Sequence, residues 1–114
     1  MKYILLVHHN EEVLGSLSKT DLQQMRDESV RLANDINLTG NYLDAAPLQP
    51  VSTAVSLRVR EGRRLVIDGP FAETREQLGG YYIIDAKDLD EAIGLAARVP
   101  SAKSGTVEVR PLSE

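Results

Sequence analysis

The side chains placed to do acid–base chemistry are few: two adjacent histidines, an aspartate ahead of Gly-Pro, a serine on an apolar helical face and a tyrosine in an apolar run. Asp68 stands in Val66-Ile67-Asp68-Gly69-Pro70-Phe71, between an apolar run and a rigid turn. Pro70 fixes its own φ and restricts the residue before it. A carboxylate at such a mouth is a general base or ligand acceptor if the sheet face beside it is a pocket. Asp before Gly is also a common turn former. His8 and His9 end the first apolar run and point to opposite faces of a strand, His8 with Ile4 and Leu6, His9 with Tyr3, Leu5 and Val7. An imidazole titrates near neutrality, so either can serve as acid or base, or simply cap a strand end at the surface. Asp68 and His8 are the expected catalytic pair. Neighbouring strand residues chelate one metal poorly, and the chain has no cysteine and no third histidine. No metal site and no cofactor are therefore expected.

Ser29 is the one polar residue on the apolar stripe of a helix, seven positions after Leu22 and four after Met25. Such a serine usually bonds back to the carbonyl four residues earlier; as a nucleophile it needs a neighbouring base. Tyr82 and Arg110 can each donate to an anionic ligand, and Arg110 alternates with inward Val109. Arg58, Arg60, Arg63 and Arg64 surround Glu61-Gly62. They read as a solvated hairpin tip or as an anion-binding patch, of which Arg58 is the substrate-binding candidate beside Ser29 and Tyr82. Glu73, Arg75 and Glu76 read as solvated. Gly79-Gly80 precedes a strand, whereas phosphate cradles precede helices.

These residues need elements to hold them. Residues 2–8 form a strand that is apolar on both faces in its middle. Residues 10–17 read as a polar loop. Ser18-Lys19-Thr20-Asp21 is a capping signal. Leu22, Met25, Leu32, Ala33 and Ile36 then line one helical face to about Leu38, with Gly40 as a stop. A weaker strand over 42–46 ends at Pro47. Residues 53–60 alternate, with Val55, Leu57 and Val59 on one side, and Glu61-Gly62 turns the chain into a returning strand over 63–67. Phe71, the one phenylalanine, is expected to plug the core beneath the loop. Thr74 and Gln77 fit a capping box for a short helical turn, and Gly79-Gly80 a re-entry through backbone conformations that other residues avoid. Residues 80–86 are the second doubly apolar strand. Asp88 caps a helix whose expected face is Leu89, Ala92, Ile93, Ala96 and Ala97, ended by Pro100. Residues 106–110 alternate with Val107 and Val109 inward.

The order β-α-β, hairpin, β-α-β implies a single α+β domain over 1–114 with a ferredoxin-like antiparallel sheet and two helices on one face. The first strand of each unit lies at the sheet centre in that topology, and those are the two strands apolar on both sides. Two helices cover one face only, so the second apolar face is expected to pack against a second copy in a homodimer. A chain of 114 residues with 42% hydrophobic and 26% charged residues suits a globular domain. A net charge of −4 opposes nucleic acid binding. The longest N-terminal apolar run, Tyr3 to Val7, is too short for a membrane span or a signal-peptide core. With no cysteine, this gives the expectation of a cytoplasmic protein.

Asp68-Gly69-Pro70-Phe71 with the following AETREQLGGYYIIDA, the closing GTVEVRPL, the opening MKYILLV and Ala45-Ala46-Pro47-Leu48-Gln49-Pro50 resemble the DGPF branch of the YCII-related proteins. The resemblance covers nearly the whole chain. It implies a dimeric α+β barrel of ferredoxin-like subunits. It also implies a small-molecule ligand, with lactone isomerisation or hydrolysis as the reaction class, or alternatively a regulatory partnership with an extracytoplasmic-function sigma factor. The better-described branch resembles a His–Asp design with its histidine on the first helix. Counting back without gaps from Ala46-Pro47 puts Ser29 at that place, so the chain departs from that design.

Overall fold

Alternation along β1 (Lys2–His9) sets the layering: Tyr3, Leu5 and Val7 are buried, while Ile4, Leu6 and His8 are half-buried on the opposite side. The computed structural model describes residues 1–113. β1 pairs antiparallel with β5 (Gln77–Asp85), which matches Leu5 to Tyr82 and Leu6 to Tyr81, and with β6 (Thr106–Pro111). β2 (Tyr42–Pro47) adds to the far side of β5, giving the order β2-β5-β1-β6. The doubly apolar strands are thus the central pair of an antiparallel, ferredoxin-like α+β sheet.

The helices lie on the face that carries Leu5. α1 (Glu11–Gly15) is a short helix where a polar loop was expected. The Asn10 side chain accepts the Glu12 and Val13 N–H groups at 2.9 and 3.3 Å, and Glu11 and Glu12 stand at the positive end of the helix dipole. α2 (Lys19–Leu38) begins as expected, with Ser18 Oγ accepting the Asp21 N–H at 3.1 Å. It stops at Gly40, whose φ of +82° only glycine adopts without strain. α3 (Leu89–Ala96) is capped by Asp88, which accepts the Glu91 N–H at 2.9 Å.

The buried face of α3 differs from the expected one. Ala92 and Ala96 are buried and Leu95 packs against the core, but Leu89 and Ile93 are half exposed. Ala92, Leu95, Ala96 and Val99 follow at helical spacing, and buried Val99 and Pro100 anchor that register. The core is Tyr3, Leu5, Val7, Leu32, Ile36, Ile84, Ala86, Ala92, Ala96 and Val99. Asn41 ties the layers at one end, donating to the Asp85 carbonyl and to Glu91, both at 2.8 Å. Among the described residues no helix is long and apolar enough to cross a membrane.

β3 (Val55–Arg60) and β4 (Arg63–Asp68) form a separate two-stranded sheet. Their turn places Glu61 and Gly62 at φ of +53° and +74°, the handedness a two-residue hairpin requires. The hairpin stands out from the body as an arm. The radius of gyration is 15.9 Å, against about 13 Å for a rounded chain of this length.

Candidate functional site

The segment after the arm is built differently from its sequence pattern. Phe71 is 81% exposed and plugs nothing. The residue that turns inward is Pro70, which joins Leu48, Pro50, Val51, Ala54 and Leu78 around an open groove of about 340 Å³. No helical turn forms over 74–77. Thr74 Oγ1 instead donates to the Glu76 carbonyl at 2.6 Å, and Gln77 Nε2 to the Thr74 carbonyl at 2.7 Å. Both side chains are taken up by carbonyls and cannot cap the N–H groups a helix start leaves open. Gly69 has φ of +104°; its N–H donates to the Ala54 carbonyl at 2.7 Å and its carbonyl accepts from Ser56 Oγ at 2.8 Å.

The double glycine serves space rather than dihedral freedom, since neither residue has a positive φ. Gly79 is the unpaired residue of a bulge, because Val7 pairs with Gly80 and His8 with Leu78. A side chain on Gly79 would put its Cβ 1.9 Å from His9 Cε1. The His9 ring therefore occupies the space that a side chain on Gly79 would need. A Cβ on Gly80 would stand 3.1 Å from the Ala46 carbonyl of β2.

His9 follows Val7 by two residues, so it belongs to the helix-covered face of β1. Burial holds its imidazole below the usual histidine pKa, against the opposite pull of the nearby Glu11 carboxylate. Glu11 also accepts the Val51 N–H at 3.1 Å, which fixes α1 against the loop beyond β2. Further along the same face Tyr82 lies opposite Leu5, four residues before His9, a separation of about 13 Å along the sheet. Burial pushes the Tyr82 phenol up, and the nearby Ser29 hydroxyl pulls it the other way. Ser29 Oγ donates its proton to the Met25 carbonyl at 2.9 Å, the back-bond expected of a helical serine. In the N-terminal half of α2, Leu22, Met25 and Ser29 are half-buried, and Ser29 stands beside Tyr82.

Ser29 and Tyr82, then, meet. The other sequence candidates do not join them. His8 faces the uncovered side of the sheet, with Nε2 3.8 Å from Glu108 Oε1, and Arg110 pairs with the same Glu108. Asp68 is exposed at the base of the arm, opposite Val55, and Arg58 is exposed opposite Leu65. The ion pairs among the described residues involve Asp35, Asp85 and Glu108, and neither Asp68 nor Arg58. No group of three metal-ligating side chains occurs among the described residues. Of the two histidines able to serve as acid or base, His9 and not the expected His8 stands on this face. Its signal was parity: it shares a face with Tyr3, Leu5 and Val7, the residues the helices cover.

The arrangement offers a neutral imidazole near pH 7, a phenol and a hydroxyl on one covered sheet face. An imidazole in that state accepts a proton, and a phenol donates a hydrogen bond to an oxygen that gains charge. Comparison with known proteins gives a relative without an assigned role. An uncharacterised protein of Rhizobium meliloti (strain 1021) is 40% identical over 116 residues, covering 99% of this chain and 93% of that protein. Residues 1–114 match the YCII-related domain from end to end, and the chain belongs to the YCII-related family.

Proposed function

We infer that the protein binds small organic acids or lactones between α2 and the sheet and acts on them by acid–base chemistry. The observation that carries this is the shared face of His9, Tyr82 and Ser29. His9, kept neutral by burial, is the proton acceptor. The Tyr82 hydroxyl, set by Ser29, is the donor to a substrate carbonyl or carboxylate oxygen. The span of about 13 Å between the two positions, shortened by the side chains that reach into it, suits a short acid rather than a large cofactor. The working unit is a homodimer, because Ile4, Leu6, Tyr81 and Ile83 line a sheet face that no helix of the same chain covers.

The test is a thermal-shift and NMR titration with short carboxylic acids and their lactones. Binding should raise the melting temperature and move the His9 Cε1–H resonance. Tyr82→Phe should lose both effects while folding normally. A ligand that stabilises wild type and Tyr82→Phe alike would place binding elsewhere and refute the assignment.

A further inference from the structure

Gly79 and Gly80 stand together in β5, and a neighbouring side chain accounts for only the first. The His9 ring fills the place of a side chain on Gly79, whereas the corresponding place on Gly80 is free of side chains. A Cβ there would meet the Ala46 carbonyl oxygen at 3.1 Å, Pro47 Cα at 3.4 Å and the Ala46 carbonyl carbon at 3.9 Å, and no side-chain atom comes nearer than the last of these. The contact with Ala46 is tight, but β2 is an edge strand, and a small shift of its backbone relieves it. Neither glycine has a positive φ. At Gly80 the strand thus gives up a side chain that neither its backbone conformation nor fixed crowding forbids. A glycine inside a strand weakens it and often marks the close approach of a ligand.

Gly80 pairs with Val7, which stands two residues from His9 and two from Leu5, the partner of Tyr82. Val7 is buried on the helix-covered side of β1, so the free place over Gly80 faces that side, about 7 Å along the sheet from each end of the span between Tyr82 and His9. Gly80 is buried, and Tyr82 and His9 are half-buried. We propose that Gly80 is the specificity-determining residue of this site: the carbon skeleton of a short acid or lactone crosses the sheet over its Cα, and skeletons branched next to the carbonyl are rejected. The inference rests on the small-acid site proposed above and narrows the class that it takes. With the Tyr82 hydroxyl on a carbonyl or carboxylate oxygen, the carbon next to that carbonyl points along the face toward His9 and passes over Gly80. There the Ala46 and Pro47 backbone bounds it on one side and Val7 on the other. A flat or unbranched carbon lies on the bare backbone, and a second substituent on the same carbon is driven into it.

The experiment is an NMR titration of the full chain with acetate, γ-butyrolactone and α,α-dimethyl-γ-butyrolactone. Wild type should bind γ-butyrolactone about tenfold or more tightly than its dimethyl form, the discrimination that added methyl groups command in a fitted pocket. Gly80→Ala should weaken γ-butyrolactone by about tenfold or more and acetate by no more than about twofold, because acetate reaches the Tyr82 hydroxyl without crossing Gly80. The His9 Cε1–H titration of Gly80→Ala should match wild type, since no ring atom lies within 3.9 Å of the new Cβ. A Gly80→Ala protein with a lower melting temperature but an unchanged ratio of lactone to acetate affinity shows that the glycine only makes room for β2, and overturns the proposal. Equal wild-type affinity for the two lactones also overturns it, and needs no variant to fold. If Tyr82→Phe loses γ-butyrolactone while Gly80→Ala keeps it, the role of Gly80 falls and the reading of the site stands. Lactone binding that neither substitution touches, or no binding of any probe to wild type, overturns both.

Discussion

Gly79→Ala tests the contact on which the candidate site depends. The new Cβ would fall 1.9 Å from His9 Cε1, 2.3 Å from Nε2 and 2.7 Å from Nδ1. Carbon atoms rest about 3.5 Å apart or more, so the ring must retreat by roughly 1.6 Å. The obstacle is a half-buried side chain with two rotatable bonds, and the backbone need not move. The stability cost should thus fall at the low end of the ~1–3 kcal/mol typical of overpacking. The effect on the site should be larger. A ring pushed off the sheet gains water, and burial is the main cause that holds its pKa down. The His9 pKa should rise toward its ordinary value. Two-dimensional NMR titration of the Cε1–H resonances, with His8→Gln to leave one signal, reads this directly, and urea unfolding reads the stability. An unchanged His9 pKa together with a loss well above 3 kcal/mol would show that the bulge itself, and not the ring, needs the glycine.

The remaining predictions follow from the same placements. Because His9 has a depressed pKa in the fold, the unfolded chain binds the extra proton first, so stability should fall as pH drops below about 6.5 and on through the folded pKa. His9→Gln should flatten that decline in urea unfolding measured between neutral and acid pH. Leu5→Ala, at a side chain 1% exposed, should cost ~2–5 kcal/mol by opening a cavity. Phe71→Ala, at one 81% exposed, should change the monomer's stability by no more than about 0.5 kcal/mol; parallel denaturation curves decide between the two.

The layers were legible because they rest on local alternation. Tyr3-Ile4-Leu5-Leu6-Val7 and Tyr81-Tyr82-Ile83-Ile84 announced central strands, and Ser18, Asp88 and Gly40 marked helix ends by side-chain chemistry that acts within a turn. The errors fall where a residue's environment comes from distant chain. Phe71 is apolar and alone of its kind, which suggests a core plug, but the Gly69 φ of +104° aims the chain so that Pro70 takes the inward place. Leu89 and Ile93 fit an apolar stripe as well as Leu95 and Val99 do, and only packing on the sheet selects the second set. For the site, Ser29 beside Tyr82 was legible only as two separate candidates. Their meeting depends on α2 crossing β5, which no spacing encodes.

The Asp68-Gly69-Pro70-Phe71 signature is best understood as the joint of the arm. Asp68 closes β4 opposite Val55, and Gly69 then leaves the ribbon with its N–H and carbonyl clamped by Ala54 and Ser56. Both clamps reach back to the start of β3, so they close the base of the hairpin as Glu61-Gly62 closes its tip. A left-handed glycine at that base redirects the chain, and Pro70 seats it among Leu48, Pro50 and Leu78. Asp68, Gly69 and Pro70 then each have a mechanical reason to be there, while the Phe71 side chain stays exposed. β2 leads into the arm through the single turn Val51–Thr53, and the Val51 N–H is held by Glu11, the carboxylate that acts on His9.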